Sequence, residues 1–228
     1  QFTYLTLKGK IMTQDLCTFC AKRSSFPLSA VHQRKKITKI ADALWRGGLR
    51  FMEITFDQTG NIPQEVSAEQ IRMVRESFGD RLHVGAGTVM TETQRKLATA
   101  AGAEYIISPN VNVEIIRATK AAGLLSIPGA FTPFEIITAY EAGTDFVKFF
   151  PADCVDPHYI KAIRTPINHI PLLAVGGVTP ENLGEYLHAG MAGAGIGGAM
   201  VRKENVAAND FDAVAARAAC YVAVVERL

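Results

Sequence analysis

The chain has 228 residues and a formal net charge of +2, which suits one large domain or two small ones with ample material for a core. At 48% hydrophobic and 20% charged residues the composition is ordinary for a folded domain, and the small net charge leaves no basic footprint for nucleic acid. No apolar run reaches the length of a membrane span, and residues 1–16 lack the apolar core and cleavage site of a secretory leader. The four cysteines (Cys17, Cys20, Cys154 and Cys220) are too few for a disulfide framework, so a reducing cytoplasm is expected. Cys17 and Cys20 resemble half a metal site, but no second Cys/His pair completes it, and a structural role is favoured. Neither metal nor cofactor is expected.

In chain order, residues 10–23 read as a short helix and Phe26 to Val31 as a weak first strand, broken by Pro27 and Ser29. Lys35 to Arg46 reads as a helix closed by Gly47-Gly48. Strands are then expected over Leu49–Phe56, Leu82–Thr88, Tyr105–Ser108, Leu124–Pro128, Phe146–Phe150, Pro171–Val175 and Gly193–Gly198. Between and after them come helices over Gln64–Phe78, Thr91–Ala101, Val113–Ala122, Pro133–Ala142 and His158–Arg164, one opened by Thr179-Pro180, and a closing helix over Phe211–Val225. Strands that alternate with helices imply a parallel sheet, and eight such units imply an α/β fold of the (β/α)8 TIM-barrel type. The expected organisation is a helical N-terminal extension over residues 1–25 and one barrel domain over 26–228. A doubly wound open sheet is the alternative, but no Gly-rich fingerprint follows the first strand.

The run from Asp145 to Ala152 carries one lysine inside an apolar strand. Alternation sends Phe146, Lys148 and Phe150 to one face and Val147 and Phe149 to the other. A lysine between two phenylalanines is costly as a cation, whereas a neutral amine is a nucleophile toward carbonyls. The bland alternative is a lysine that snorkels to water from a strand end. Alternation over Phe51 to Asp57 puts Glu53, Thr55 and Asp57 on one face, which in a barrel is the lumen. Glu53 there is expensive unless it is paired or working, and a purely structural Glu–Lys pair is the competing reading. Active sites of such barrels lie at the C-terminal strand ends. Those ends carry Thr88 after two glycines, Ser108-Pro109, Gly176-Gly177 and Gly197-Gly198. Paired glycines after the last two strands suit an anion held by backbone N–H groups, although they can also serve simple tight turns. A lysine that forms an iminium, with a carboxylate to move protons, can break a neighbouring carbon–carbon bond.

These stretches resemble the family of 2-keto-3-deoxy-6-phosphogluconate and 4-hydroxy-2-oxoglutarate aldolases. The resemblance is carried by Gly47 to Phe56, Gly85 to Val89, Ser108-Pro109, Pro128 to Pro133, Val147 to Ala152 and Gly176 to Val178, in the family's order. It implies a class I aldolase forming pyruvate and an aldehyde, with Lys148 as Schiff base and Glu53 as general acid/base. It further implies that Thr88 holds the substrate carboxylate and that Phe150 lines the pocket. Ser108, Pro109 and Gly197 are expected beside the substrate, and the resemblance implies phosphate contacts at Gly176, Gly177 and Gly198. A homotrimer is also implied, and the partners are small keto acids rather than nucleic acid or membrane. Three positions depart from the pattern. Asp57 stands where an arginine commonly grips the carboxylate, Ala199 where a serine commonly meets phosphate, and the first strand is less apolar. Asp57 should therefore repel an anionic substrate unless it turns away. Two further readings compete: a phosphate-binding isomerase, epimerase or synthase without imine chemistry, and a non-catalytic homologue.

Overall fold

The computed structural model describes residues 5–7, 10–12, 17–21 and 30–228, with side chains from residue 36 onward. Strands β1 (Leu5–Leu7) and β2 (Lys10–Met12) pair with each other as an antiparallel ribbon. The barrel follows. β3 (Cys17–Ala21) leads to α1 (Ala30–Arg46), β4 (Phe51–Thr55) to α2 (Gln64–Phe78), and β5 (His83–Gly87) to α3 (Glu92–Ala100). Next come β6 (Tyr105–Ile107), α4 (Val113–Ala121), β7 (Leu125–Ile127), β8 (Gly129–Ala130) and α5 (Pro133–Glu141). The remaining elements are β9 (Val147–Phe149), α6 (Pro157–Arg164), β10 (Leu172–Val175) and α7 (Leu183–His188), then β11 (Gly193–Ile196), α8 (Lys203–Ala208) and α9 (Phe211–Val225).

Every pairing from β3 to β11 is parallel. β7 pairs with β6, and β8 pairs with β9. Only Pro128 separates β7 from β8, so the two act as one stave that closes the ring. Proline has no N–H to give a ladder, which explains the interruption, and its carbonyl still accepts from the Lys148 N–H at 2.9 Å. The result is an eight-stave barrel with helices outside, as expected of the alternation.

The N-terminal expectation is corrected. Residues 10–12 and 17–21 are strands, not parts of a helix. The first barrel stave is β3, which sits between β11 and β4, and it precedes the boundary expected at residue 26. Ala30 and Val31, expected to end the first strand, lie in α1. The rest of that expected strand, residues 26–29, falls outside the described residues. The seventh helix also starts later than expected, at Leu183. Thr179 and Asn182 form a turn before it, with the Thr179 N–H donating to Asn182 Oδ1 at 2.8 Å. α8 was not foreseen; the six-residue segment is too short to show a clear period.

Two apolar cores result from the alternation. One lies between sheet and helices and takes Met52, Ile54, Ile106, Val147, Phe149 and Leu172. The other fills the lumen with Phe51, Tyr105, Ile107, Leu125, Ile127, Phe146 and Leu173. Helix starts are fixed locally. α3 and α5 each open on a capping box, built from Thr91 with Gln94 and from Thr132 with Glu135. The backbone N–H of Phe131, then the Thr132 hydroxyl and amide, hold the Glu135 carboxyl below its ordinary range. Among the described residues, Phe134, Ile137 and Tyr140 form an exposed stripe on α5, with Phe134 at 79% and Tyr140 edge-on to His169.

Candidate active site

The separation of the two cores settles which residues face the lumen. Phe146 belongs to the lumen cluster, and Val147 and Phe149 belong to the outer one. Lys148 therefore points inward from β9, and it is only 8% exposed. Its Nζ stands 4.7 Å from the centre of the half-buried Phe150 ring. An aromatic face favours positive charge above it, whether on an ammonium or an iminium nitrogen. On β4, Phe51 is a lumen residue while Met52 and Ile54 pack outward. Glu53 and Thr55 consequently face inward, with Glu53 1% exposed.

Across the sheet, Lys148 lies level with Gly129 and Leu173. A Cβ on Gly129 would stand 2.4 Å from the Pro109 carbonyl oxygen, so Pro109 packs directly on the stave beside Lys148. Ser108 is buried, and its hydroxyl donates to the Asn110 carbonyl at 2.8 Å. It shapes the turn after β6 and gives its hydroxyl proton to the backbone.

Thr88 follows β5 with φ +54°. A β-branched residue in the left-handed region is strained by about 1–3 kcal/mol and persists only where its surroundings fix it. Those surroundings are present. Gln58 Nε2 donates to the Thr88 carbonyl at 2.8 Å, and the buried Gln94 donates to Gln58 Oε1 at 3.2 Å. Gln94 Oε1 in turn accepts from the Met90 N–H at 2.8 Å. The strained turn thus presents Thr88 at the barrel mouth from a rigid frame.

Asp57 turns away. Its Oδ2 accepts from the Thr59 hydroxyl at 2.8 Å and from the Ile62 N–H at 3.1 Å. The Thr59 hydroxyl, followed by the loop amides, holds the carboxyl below its ordinary range. Its charge closes the 57–62 loop, which is the alternative the sequence left open, in which Asp57 does not oppose a substrate carboxylate.

Gly176 and Gly177, after β10, have φ of +103° and +64°. A side chain at Gly177 would overlap Asp153, whose Cβ lies 2.3 Å from the position of an added Cβ. Asp153, just after β9, therefore leans on this turn, a neighbour that sequence reading missed. Around a Cβ placed on Gly198 there is open space. Gly197 accepts from the Met200 N–H through its carbonyl at 3.0 Å, and the Ala199 carbonyl is taken by Arg217 Nε. The expected catalytic and substrate-binding residues thus sit in or just beyond β4, β5, β6, β9, β10 and β11.

A closed parallel sheet of eight staves with helices outside makes this a (β/α)8 barrel, and the inward Lys148 and Glu53 place its candidate site in the lumen. The particular family follows from comparison with known proteins. Residues 18–217 match the family model for KDPG and KHG aldolases, and the chain belongs to that family. It is 37% identical over 155 residues to the 2-dehydro-3-deoxy-6-phosphogalactonate aldolase of Escherichia coli K12, covering 68% of this chain and 74% of that one. It is 35% identical over 192 residues to the 2-dehydro-3-deoxy-phosphogluconate aldolase of Treponema pallidum, covering 83% and 88%. Its fold superposes with a TM-score of 0.76 and 25% identity on a KDPG aldolase from Legionella pneumophila, covering 91% and 93% of the two chains. In that structure pyruvate is captured as a covalent carbinolamine.

The strained turn has a consequence for stability. Thr88→Gly should stabilise the fold by about 1 kcal/mol, the relief of strain exceeding glycine's added chain entropy. The same change should raise the KM for keto acid. Urea unfolding read alongside steady-state kinetics checks both, and a loss of stability would show that Thr88 is not strained.

Proposed function

We propose that this aldolase works through Lys148 and Glu53, cleaving a 2-keto-3-deoxy acid to pyruvate and an aldehyde. The observation that carries the reading is an inward lysine, nearly inaccessible to solvent, whose Nζ lies over an aromatic face. The amine adds to the C2 ketone and water leaves, giving an iminium. Glu53 takes the proton from the C4 hydroxyl. The C3–C4 bond then breaks, its electron pair passing to the iminium, and the aldehyde departs. Returning that proton to C3 of the enamine and adding water releases pyruvate and the free amine. Thr88, Ser108, Pro109 and Phe150 shape the pyruvate end, while the glycine turns at Gly176-Gly177 and Gly197-Gly198 receive the far end. Lys148→Met should abolish borohydride trapping of pyruvate with the fold intact. Trapping that persists at another residue, read by mass spectrometry, would overturn the assignment.

The relatives' names point to a phosphorylated acid as substrate. With Asp57 committed to its own loop, the pyruvate end carries less repulsion than the sequence suggested. The phosphate end remains weakly held, because Ala199 offers no hydroxyl. A charge-assisted hydrogen bond is worth roughly 1.5–3 kcal/mol. Ala199→Ser should therefore raise kcat/KM for the phosphorylated acid about tenfold and leave its unphosphorylated analogue unchanged. Equal gains for both would show that position 199 does not meet the phosphate.

The assembly follows the same reading. The homotrimer is what the family resemblance implies, and the exposed apolar stripe of Phe134, Ile137 and Tyr140 on α5 supports an interface between copies there. Phe134→Glu should give monomers in analytical ultracentrifugation, and an unaltered mass would place the interface elsewhere. A cytoplasmic setting is supported by the low cysteine count, four in 228 residues.

A further inference from the structure

β5 carries two glycines on its lumen face, Gly85 and Gly87. Neither has a left-handed φ. Conformational freedom therefore does not explain them, and the space above them does. A Cβ on Gly85 would stand 2.1 Å from Tyr105 Cε2, because the Tyr105 ring lies over that residue from β6. A Cβ on Gly87 would stand 1.4 Å from Glu53 Oε1, 2.2 Å from its Cδ and 2.6 Å from its Cγ. Both glycines are seats for large neighbours.

The register shows what the two seats do. Glu53 pairs with Gly85, and Thr55 pairs with Gly87. Glu53 thus begins level with the seat that Tyr105 already fills, and its carboxylate lies over the next one, a residue pair closer to the barrel mouth. We propose that Gly87 is a positioning residue for Glu53: its missing side chain lets the carboxylate lean toward the mouth, with Tyr105 on Gly85 closing the way back. This rests on Glu53 being the proton carrier of the aldolase reading. Proton transfer needs heavy atoms within hydrogen-bond reach, so moving the carboxylate by the width of a methyl group should disable it while sparing the amine on β9.

The experiment compares the wild-type chain with Gly87→Ala, Glu53→Ala and the double variant. Each is read by borohydride trapping of pyruvate on Lys148, by deuterium exchange at the pyruvate methyl group, and by thermal midpoint. Gly87→Ala should trap pyruvate within about threefold of wild type while losing exchange by about a hundredfold, the scale of general acid–base catalysis. The double variant should exchange no more slowly than Glu53→Ala, because the two losses share one cause. The midpoint lowered by Gly87→Ala should be recovered in the double variant, where the overlapping Cγ, Cδ and Oε1 are gone. This last arm remains readable even if Gly87→Ala alone does not fold. Wild-type exchange in Gly87→Ala, losses that multiply, or a double variant no more stable than Gly87→Ala would each overturn the proposal. A wild-type chain that never traps pyruvate would instead overturn the aldolase reading, and the midpoint comparison would still decide whether Glu53 occupies the seat.

Discussion

The structure depends on closure of a parallel sheet around a lumen that its own side chains must fill. Eight staves leave a space only wide enough for layers of side chains, so each inward residue competes with its neighbours for volume. Phe51, Tyr105, Ile107, Leu125 and Phe146 are among those that take that volume, and they also exclude water from the barrel interior. Lys148 and Glu53 share this inward face, and their burial follows from it. A polar group withdrawn from water needs partners or a task, which is why two ionisable residues in such a place point to chemistry.

Closure also explains where glycine is required. Bulky inward residues on β4 and β6 can coexist only if the stave between them is thin, and β5 is thinned at Gly85 and Gly87. The same logic applies at Gly129, where Pro109 packs against the strand. At the mouth, Gly176 answers to backbone conformation through its positive φ, while Gly177 combines a positive φ with the close approach of Asp153. Equivalent residues in the sequence thus serve two physical needs, room in one place and handedness in the other.

The loops at the mouth are rigid by construction. Thr88 is strained, and its carbonyl is held through Gln58 by the buried Gln94, whose side-chain oxygen accepts from the Thr91 N–H at the start of α3. Asp57 spends its charge on closing the 57–62 loop. Strain at Thr88 is tolerated because neighbouring hydrogen bonds fix the backbone, and those bonds come from Gln58 and Gln94.

By itself the sequence determined the barrel, the staves from β4 onward to within about two residues, and the inward direction of Glu53 and Lys148. These depend on local signals: period-two alternation, capping residues and glycine or proline punctuation, each readable within a few neighbours. Only the tertiary structure decided the first stave. Cys17–Ala21 lacks a strong strand pattern of its own, and its identity comes from pairing with Ala194 to Ile196 on one side and Met52 to Ile54 on the other. The orientation of Asp57 and the occupants of the Gly85 and Gly87 seats were likewise settled only by the fold. A strand period says which face a side chain leaves from. Where its end comes to rest is set by volume and hydrogen bonds contributed by residues distant in the chain, and those contacts exist only once the barrel has closed.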